Sequence, residues 1–310
     1  MDKRQTECNG INDFSGRREF FRRAGSLLAG AALTGGTSFE NLFSGSGVTE
    51  GIQARSGAGN QPLLVNGLPG SRLGKTGLEV TKIGFGGMLV NEPTVLLHAL
   101  DSGINLIHTA PEYQNGASLT AFGKVLKEHR QRVIVAVNER PGAIDRILPV
   151  LNTDHVDIIL PPLHSPASLN DSGLFEDFQK ARDAGKCRFL GFTCHSEVTA
   201  VLEKAAEKNI FDVAMVSYMN TDDPWFFRSL RLARQAGMGV LAMSPIPIRS
   251  YRSEDINQEE TVLERYGDIL NRWYAHSVMT TMNNYQSVDF YTRLLDGNIV
   301  SRRSRSAIRG

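Results

Sequence analysis

The chain has 310 residues, enough for one large α/β domain or two ordinary ones. Hydrophobic residues make up 41% and the formal net charge is +1, so a full core can be buried and no global field points to nucleic acid or a membrane surface. Three cysteines are too few for a disulfide framework.

Residues 1–60 do not read as a folded core. Arg17-Arg18-Glu19-Phe20-Phe21-Arg22 precedes an apolar run from Ala24 to Leu33, rich in Gly and Ala. This is the shape of a twin-arginine export signal; the alternative is a basic amphipathic surface helix. The run is too short for a stable membrane span. Gly, Ser and Thr dominate residues 34–60, as in a flexible linker, with a small-x-small cleavage site at Ser56-Gly57-Ala58. The expected partner of this segment is the twin-arginine translocation machinery, and the expected location is periplasmic or otherwise extracytoplasmic.

Arg72-Leu73-Gly74-Lys75-Thr76-Gly77-Leu78-Glu79-Val80 reads as a hairpin turning on Lys75-Thr76. Lys82 to Gly87 gives a first strand and a tight turn whose paired glycines are expected to let backbone approach a ligand closely. No G-x-G-x-x-G is completed before a helix, so a dinucleotide fingerprint is missing. A short helix at 94–101 leads to a second strand, Asn105–Ile107, and a helix at 117–128. Six further strands are predicted at Val133–Val137, Val156–Leu160, Arg188–Phe192, Val213–Val216, Gly239–Met243 and Ser277–Met282. Helices alternate with them near 143–151, 174–184, 197–207, 224–235, 259–274 and 287–295, with Ser196 as the expected N-cap of the fifth. Val133–Val137 and Ile158–Leu160 are continuous apolar runs, as parallel strands buried on both faces require.

Eight strand–helix units predict an α/β fold, a (β/α)8 TIM barrel over residues 61–298 with an N-terminal β-hairpin. Residues 299–310 read as a basic, solvated tail too short to imply nucleic-acid binding. Cys187 and Cys194 fall near opposite ends of one predicted strand, roughly 23 Å apart if extended, and cannot pair. In such a barrel chemistry sits at the C-terminal ends of the strands. His108, Glu112 and Tyr113 follow the second strand and lie at that end.

Several phrases in order resemble the aldo/keto reductases: Arg72-Leu-Gly-Lys-Thr-Gly-Leu, Gly103-Ile-Asn-Leu-Ile-His-Thr-Ala, Val156-Asp-Ile-Ile-Leu followed by Leu163-His164, and Gly239-Val-Leu-Ala-Met-Ser-Pro. The resemblance spans about Leu68 to Leu295. It implies carbonyl reduction with NADP(H) on a small-molecule substrate. A Tyr gives the proton, a Lys paired with an Asp lowers its pKa, and a His orients the carbonyl. Matched onto this chain, the Tyr is Tyr113 and the His is His164. The Asp position holds His108 and the Lys position Asn138. Loss of one partner alone would strand a buried charge, at about 3–5 kcal/mol. Loss of both reads as a coordinated exchange for a neutral pair, with His108 hydrogen-bonded to Asn138. Without the lysine, Tyr113 is expected to titrate as an ordinary phenol.

The cofactor positions implied by the resemblance are altered too. The nicotinamide amide would meet Thr193, Cys194 and Met215, the ring would stack on Tyr218, and the phosphate segment Asn283-Asn284-Tyr285-Gln286 places Gln286 where a basic residue is usual. Weak NADP(H) binding or a different pose is expected. Two alternatives stay open. One is a barrel that binds without redox chemistry. The other is a metal site from His108, His164 and His195, with Cys194 and Glu139 nearby.

Overall fold

The computed structural model describes residues 63–219, 221–245, 258–272 and 274–297. The expected export signal, linker and basic tail lie outside them. Eight parallel strands close into a barrel: β4 (Ile83–Gly86), β5 (Leu106–Thr109), β6 (Ile134–Val137), β7 (Val156–Ile159), β8 (Cys187–Cys194), β9 (Val213–Ser217), β10 (Gly239–Met243) and β11 (Ser277–Thr281). Outside them run α1 (Pro93–Asp101), α2 (Ala117–His129), α3 (Ile144–Leu151), α4 (Ser172–Asp183), α5 (Val198–Lys208), α6 (Phe226–Gln235), α7 (Gln258–Asn271) and α8 (Tyr285–Gly297). The predicted (β/α)8 barrel is the fold.

Beneath the barrel lies an antiparallel sheet, β1 (Leu64–Val65), β2 (Leu68–Arg72) and β3 (Glu79–Thr81). The hairpin β2–β3 was expected; β1 was not, although Asn66-Gly67 is a strong turn signal, and both residues take positive φ, 50° and 85°. The hairpin closes the lower opening, with Lys75 N donating to Gly237 O at 2.7 Å. Gly74 touches the backbone of residues 237–239 so closely that no Cβ would fit.

Period-two alternation sorts the strand residues into two shells. Leu106, Ala136, Ile158, Leu160, Met215, Leu241 and Met279 pack inside the barrel, over Leu73, Leu78 and Val80 of the hairpin region. Ile107, Val137, Ile159, Phe192, Cys194 and Val216 pack in the outer shell, with the helices. The rule has a direct use. Two residues beyond an inward position is inward again, so His108 follows Leu106 and Asn138 follows Ala136 into the mouth.

Two strands run two residues past their expected ends. β5 runs on to Thr109 and β8 to Cys194, because Gly86 pairs with His108, Thr109 with Val137, and Cys194 with Val216. His108 is therefore a strand residue. Nor does Ser196 cap α5. The N-cap is Glu197 in the left-handed region, with no side-chain cap bond, and Ser196 Oγ donates to His164 O at 3.0 Å.

Candidate active site

Asn138 is the hub of the mouth. Its Oδ1 accepts from Thr193 Oγ1 at 2.9 Å, and its Nδ2 donates to Glu112 Oε1 at 3.4 Å. Its side chain lies near enough to Tyr113 to act on the phenol's pKa. Thr193 is buried and inward, one residue before the end of β8, which brings its hydroxyl across the mouth to Asn138. Asn138 N donates to Thr109 O at 2.9 Å, which fixes the start of the hub's loop to β5.

The expected His108–Asn138 pair is not made. His108 is 2% exposed, and its Nε2 has no hydrogen-bond partner. The imidazole instead meets Tyr113 edge-on, ring centroids 5.7 Å apart and planes at 76°. The amide oxygen of Asn138 is turned to Thr193 and its nitrogen to Glu112, and neither meets the imidazole. Burial, followed by the proximity of His195, pulls the His108 pKa down to about 3. The ring is neutral at any ordinary pH.

Tyr113 also departs from expectation. Its pKa is raised above the ordinary phenol value, first by burial and then by Glu112; the Asn138 side chain pulls the other way and loses. Tyr113 is half-buried, with the exposed Glu112 carboxylate beside it in the chain. Tyr113 opens a 3-10 turn, Tyr113–Gly116, in which Gln114, Asn115 and Gly116 all take positive φ of 52°, 53° and 88°. For Gln114 that conformation carries a cost of about 1–2 kcal/mol.

The paired glycines of the first turn serve packing. Gly87 N donates to His108 O at 2.8 Å, and a Cβ on Gly87 would lie 2.7 Å from the Phe122 ring and 2.8 Å from Ser118 Oγ. They let the first loop lie against β5 and α2.

The other predicted site residues are dispersed. His164 is exposed, and His195 lies near it, with a pKa lowered by burial and then by His164. Among the described residues no three His, Cys, Asp or Glu side chains are arranged to hold a metal ion, so His108, His164 and His195 do not form the metal set weighed from sequence. Glu139 is turned to its own loop, accepting from Arg140 N at 2.7 Å. Met215 is inward and buried among Leu241 and Met243. Cys194 belongs to the outer shell. Its thiol donates to Ser196 O at 2.9 Å, and burial pushes its pKa up to about 11. Tyr218 is 2% exposed in the same outer shell, edge-on to Phe226 at 5.0 Å, with its hydroxyl unpartnered. It offers no open ring face. Gln286 is exposed on the first turn of α8, whose start is already capped: Ser287 N donates to Asn284 Oδ1 at 2.8 Å.

Sequence reading missed Thr193 as the partner of Asn138, although its inward register two residues beyond Gly191 could have placed it. It also missed Glu112 as the group that raises Tyr113; adjacency in the chain was the available signal.

The family model described as the aldo/keto reductase family matches residues 82–265. Solved structures similar to this chain include an aldo-keto reductase from Bacillus halodurans in its holo form, 19% identical, covering 78% of this chain and 95% of that one at a TM-score of 0.64. An aldo/keto reductase from Klebsiella pneumoniae in complex with NADP and acetate is 20% identical, covering 74% and 90% at a TM-score of 0.58. One from Brucella melitensis is 18% identical, covering 76% and 95% at 0.56. At these identities the likeness is one of fold. A search of the curated proteins finds no match.

Proposed function

The chain belongs to the aldo/keto reductase family, and from that premise we propose that it is an oxidoreductase of that type, interconverting a small carbonyl and its alcohol at the barrel mouth with NADP(H) as redox partner. The observation that carries the reading is the proton-bearing Tyr113, set edge-on against His108 at the C-terminal end of the barrel. The unpartnered Nε2 of His108 is a buried polar atom that a substrate oxygen or hydroxyl would satisfy.

The described residues do not fit NADP(H) in the family's manner. The Thr193 hydroxyl is committed to Asn138, Cys194 and Tyr218 face the outer shell, and Met215 offers the nicotinamide amide no hydrogen bond. Weak binding or another pose follows. What this chain itself supplies is the proton side of the reaction. Tyr113 keeps its proton throughout the neutral range, so the donor is always loaded for reduction. As the base for alcohol oxidation it is poor, because the phenolate is disfavoured by burial and by Glu112. Thr193 orients Asn138, whose amide lies beside the phenol.

A second reading, a barrel that binds such a molecule without turning it over, is favoured by the upward shift of Tyr113 and the covered Tyr218 ring. Titration of NADPH fluorescence, together with NADPH consumption across a panel of aldehydes and ketones, separates the two. Carbonyl-dependent consumption that Tyr113→Phe abolishes supports the oxidoreductase. Absence of both binding and consumption supports the second reading.

We also read residues 1–60 as a twin-arginine leader, which places the mature barrel outside the cytoplasm. Fractionation of cells making the parent and an Arg17→Lys, Arg18→Lys variant tests this: the variant should stay in the cytoplasm.

A further inference from the structure

Outside the mouth, α2 and α3 flank an open groove of about 830 Å³, within the range of a small-molecule site. The two helices meet where Gly123 lies against the Val150 carbonyl, so closely that no Cβ would fit, and Asn152 Nδ2 donates to Gly123 O at 3.1 Å. Away from that contact the helices leave the groove open, and the loops carrying Tyr113 and Asn138 supply its remaining wall through Asn115 and Glu139.

The floor is apolar. Ala121, Ala143 and Ile147 are buried and line it, and Val150, 40% exposed, forms its lip. The walls carry two cations, Lys124 on α2 and Arg146 on α3, both exposed and neither ion-paired among the described residues. The carboxylate of Glu139 accepts from Arg140 N rather than from either cation. A neutral ligand would leave the cations unused, and a small hydrated anion would leave the floor wet. An anion on an apolar body uses both, since a guanidinium can hold a carboxylate by two parallel hydrogen bonds and the body removes apolar surface from water.

We propose that the α2–α3 groove is a second ligand site, separate from the barrel mouth, that takes an amphipathic carboxylate with its head between Lys124 and Arg146. This site stands on its own lining and does not depend on what the mouth catalyses. The test is calorimetric titration of the full chain with decanoate, with decanamide and acetate as the neutral and bodiless probes. Saturable decanoate binding, at least ten-fold tighter than either control and weakened by added NaCl, is expected. The double variant Lys124→Gln, Arg146→Gln should lose at least ten-fold, and Val150→Asp, on the exposed lip, should weaken binding as well. Tyr113→Phe, at the mouth, should bind decanoate as the parent does. No decanoate binding, equal binding of decanamide, or parental affinity in the double variant overturns the proposal. So does loss of binding in Tyr113→Phe, which would move the ligand into the mouth.

Discussion

The two ends of this barrel are built to different standards. At the lower end Asp157, 3% exposed, accepts from Arg130 at 2.9 Å, from Arg188 at 2.7 Å and from Val135 N at 2.9 Å. His276, buried at the foot of β11, accepts from Val240 N at 2.8 Å and contacts Arg234. At the mouth, Asn138 is held by Thr193 and Glu112, but His108 Nε2 is left with nothing. The contrast has one exception among the described residues, the unpartnered Ser277 hydroxyl at the lower end. Backbone strain follows the same division. The left-handed residues below are Asn66, Asn152 and Asn209, a type that tolerates the conformation, whereas above they are Gln114, Asn115, Glu197 and Ser244. Unsatisfied groups and strained backbone gather at the C-terminal ends of the strands, where barrels of this architecture place their sites, while the closed end holds the fold.

The comparison breaks most visibly at Asp157. Asp157→Ala should destabilise by about 3–5 kcal/mol, because it leaves Arg130 near-buried without its carboxylate; denaturant unfolding reads it. An effect under about 1 kcal/mol would mean that the lower end is no sturdier than the upper. Next in size, Tyr113→Phe should reduce any carbonyl-dependent NADPH consumption by about 100-fold or more while leaving the unfolding midpoint nearly unchanged.

The third experiment uses the opposite sign. His108→Leu removes an unpaired buried polar group and should stabilise the empty barrel by about 1 kcal/mol. The pH profile sharpens this. Unfolded, each histidine titrates near 6.5, but in the fold burial pulls His108 and His276 to about 3. Below pH 6.5 the unfolded chain therefore binds more protons, so stability falls with pH from 6.5 toward 3. His108→Leu should flatten part of that slope. A profile unchanged by the substitution would mean that the imidazole is not buried neutral.

The smallest effect compares the two ends of one helix. Glu197 and Asn209 flank α5, both with φ of 50°. Glu197→Gly should stabilise by roughly 0.5 kcal/mol. Asn209→Gly should not, since Asn already accepts the conformation and its Oδ1 holds Lys75 Nζ at 3.3 Å.

What could be read from sequence follows the same line. The eight strands announce themselves as apolar runs, and the hairpin by its glycines, because burial on both faces and tight turns constrain residue type locally. His108 and Asn138 could be placed at the mouth by register, and Tyr113 by its position in the loop that follows β5. What each does could not be read. That Asn138 turns to Thr193 and Glu112 rather than to His108 depends on which amide atoms have other claimants, and these come from two loops and a strand far apart in the chain. Tyr218 fails differently. It lies one residue past β9, and its parity sends the ring outward against Phe226, which matching by family position does not reveal. Likewise, Gln286 sits at a helix start whose amides Asn284 already serves.

Cys187 and Cys194 bound a single strand, both buried and both without a disulfide partner. Burial pushes each thiol up to about 11, so at neutral pH neither exists as the reactive thiolate. Neither thiol commits the described barrel to a disulfide, so no cystine has to form for those strands to close.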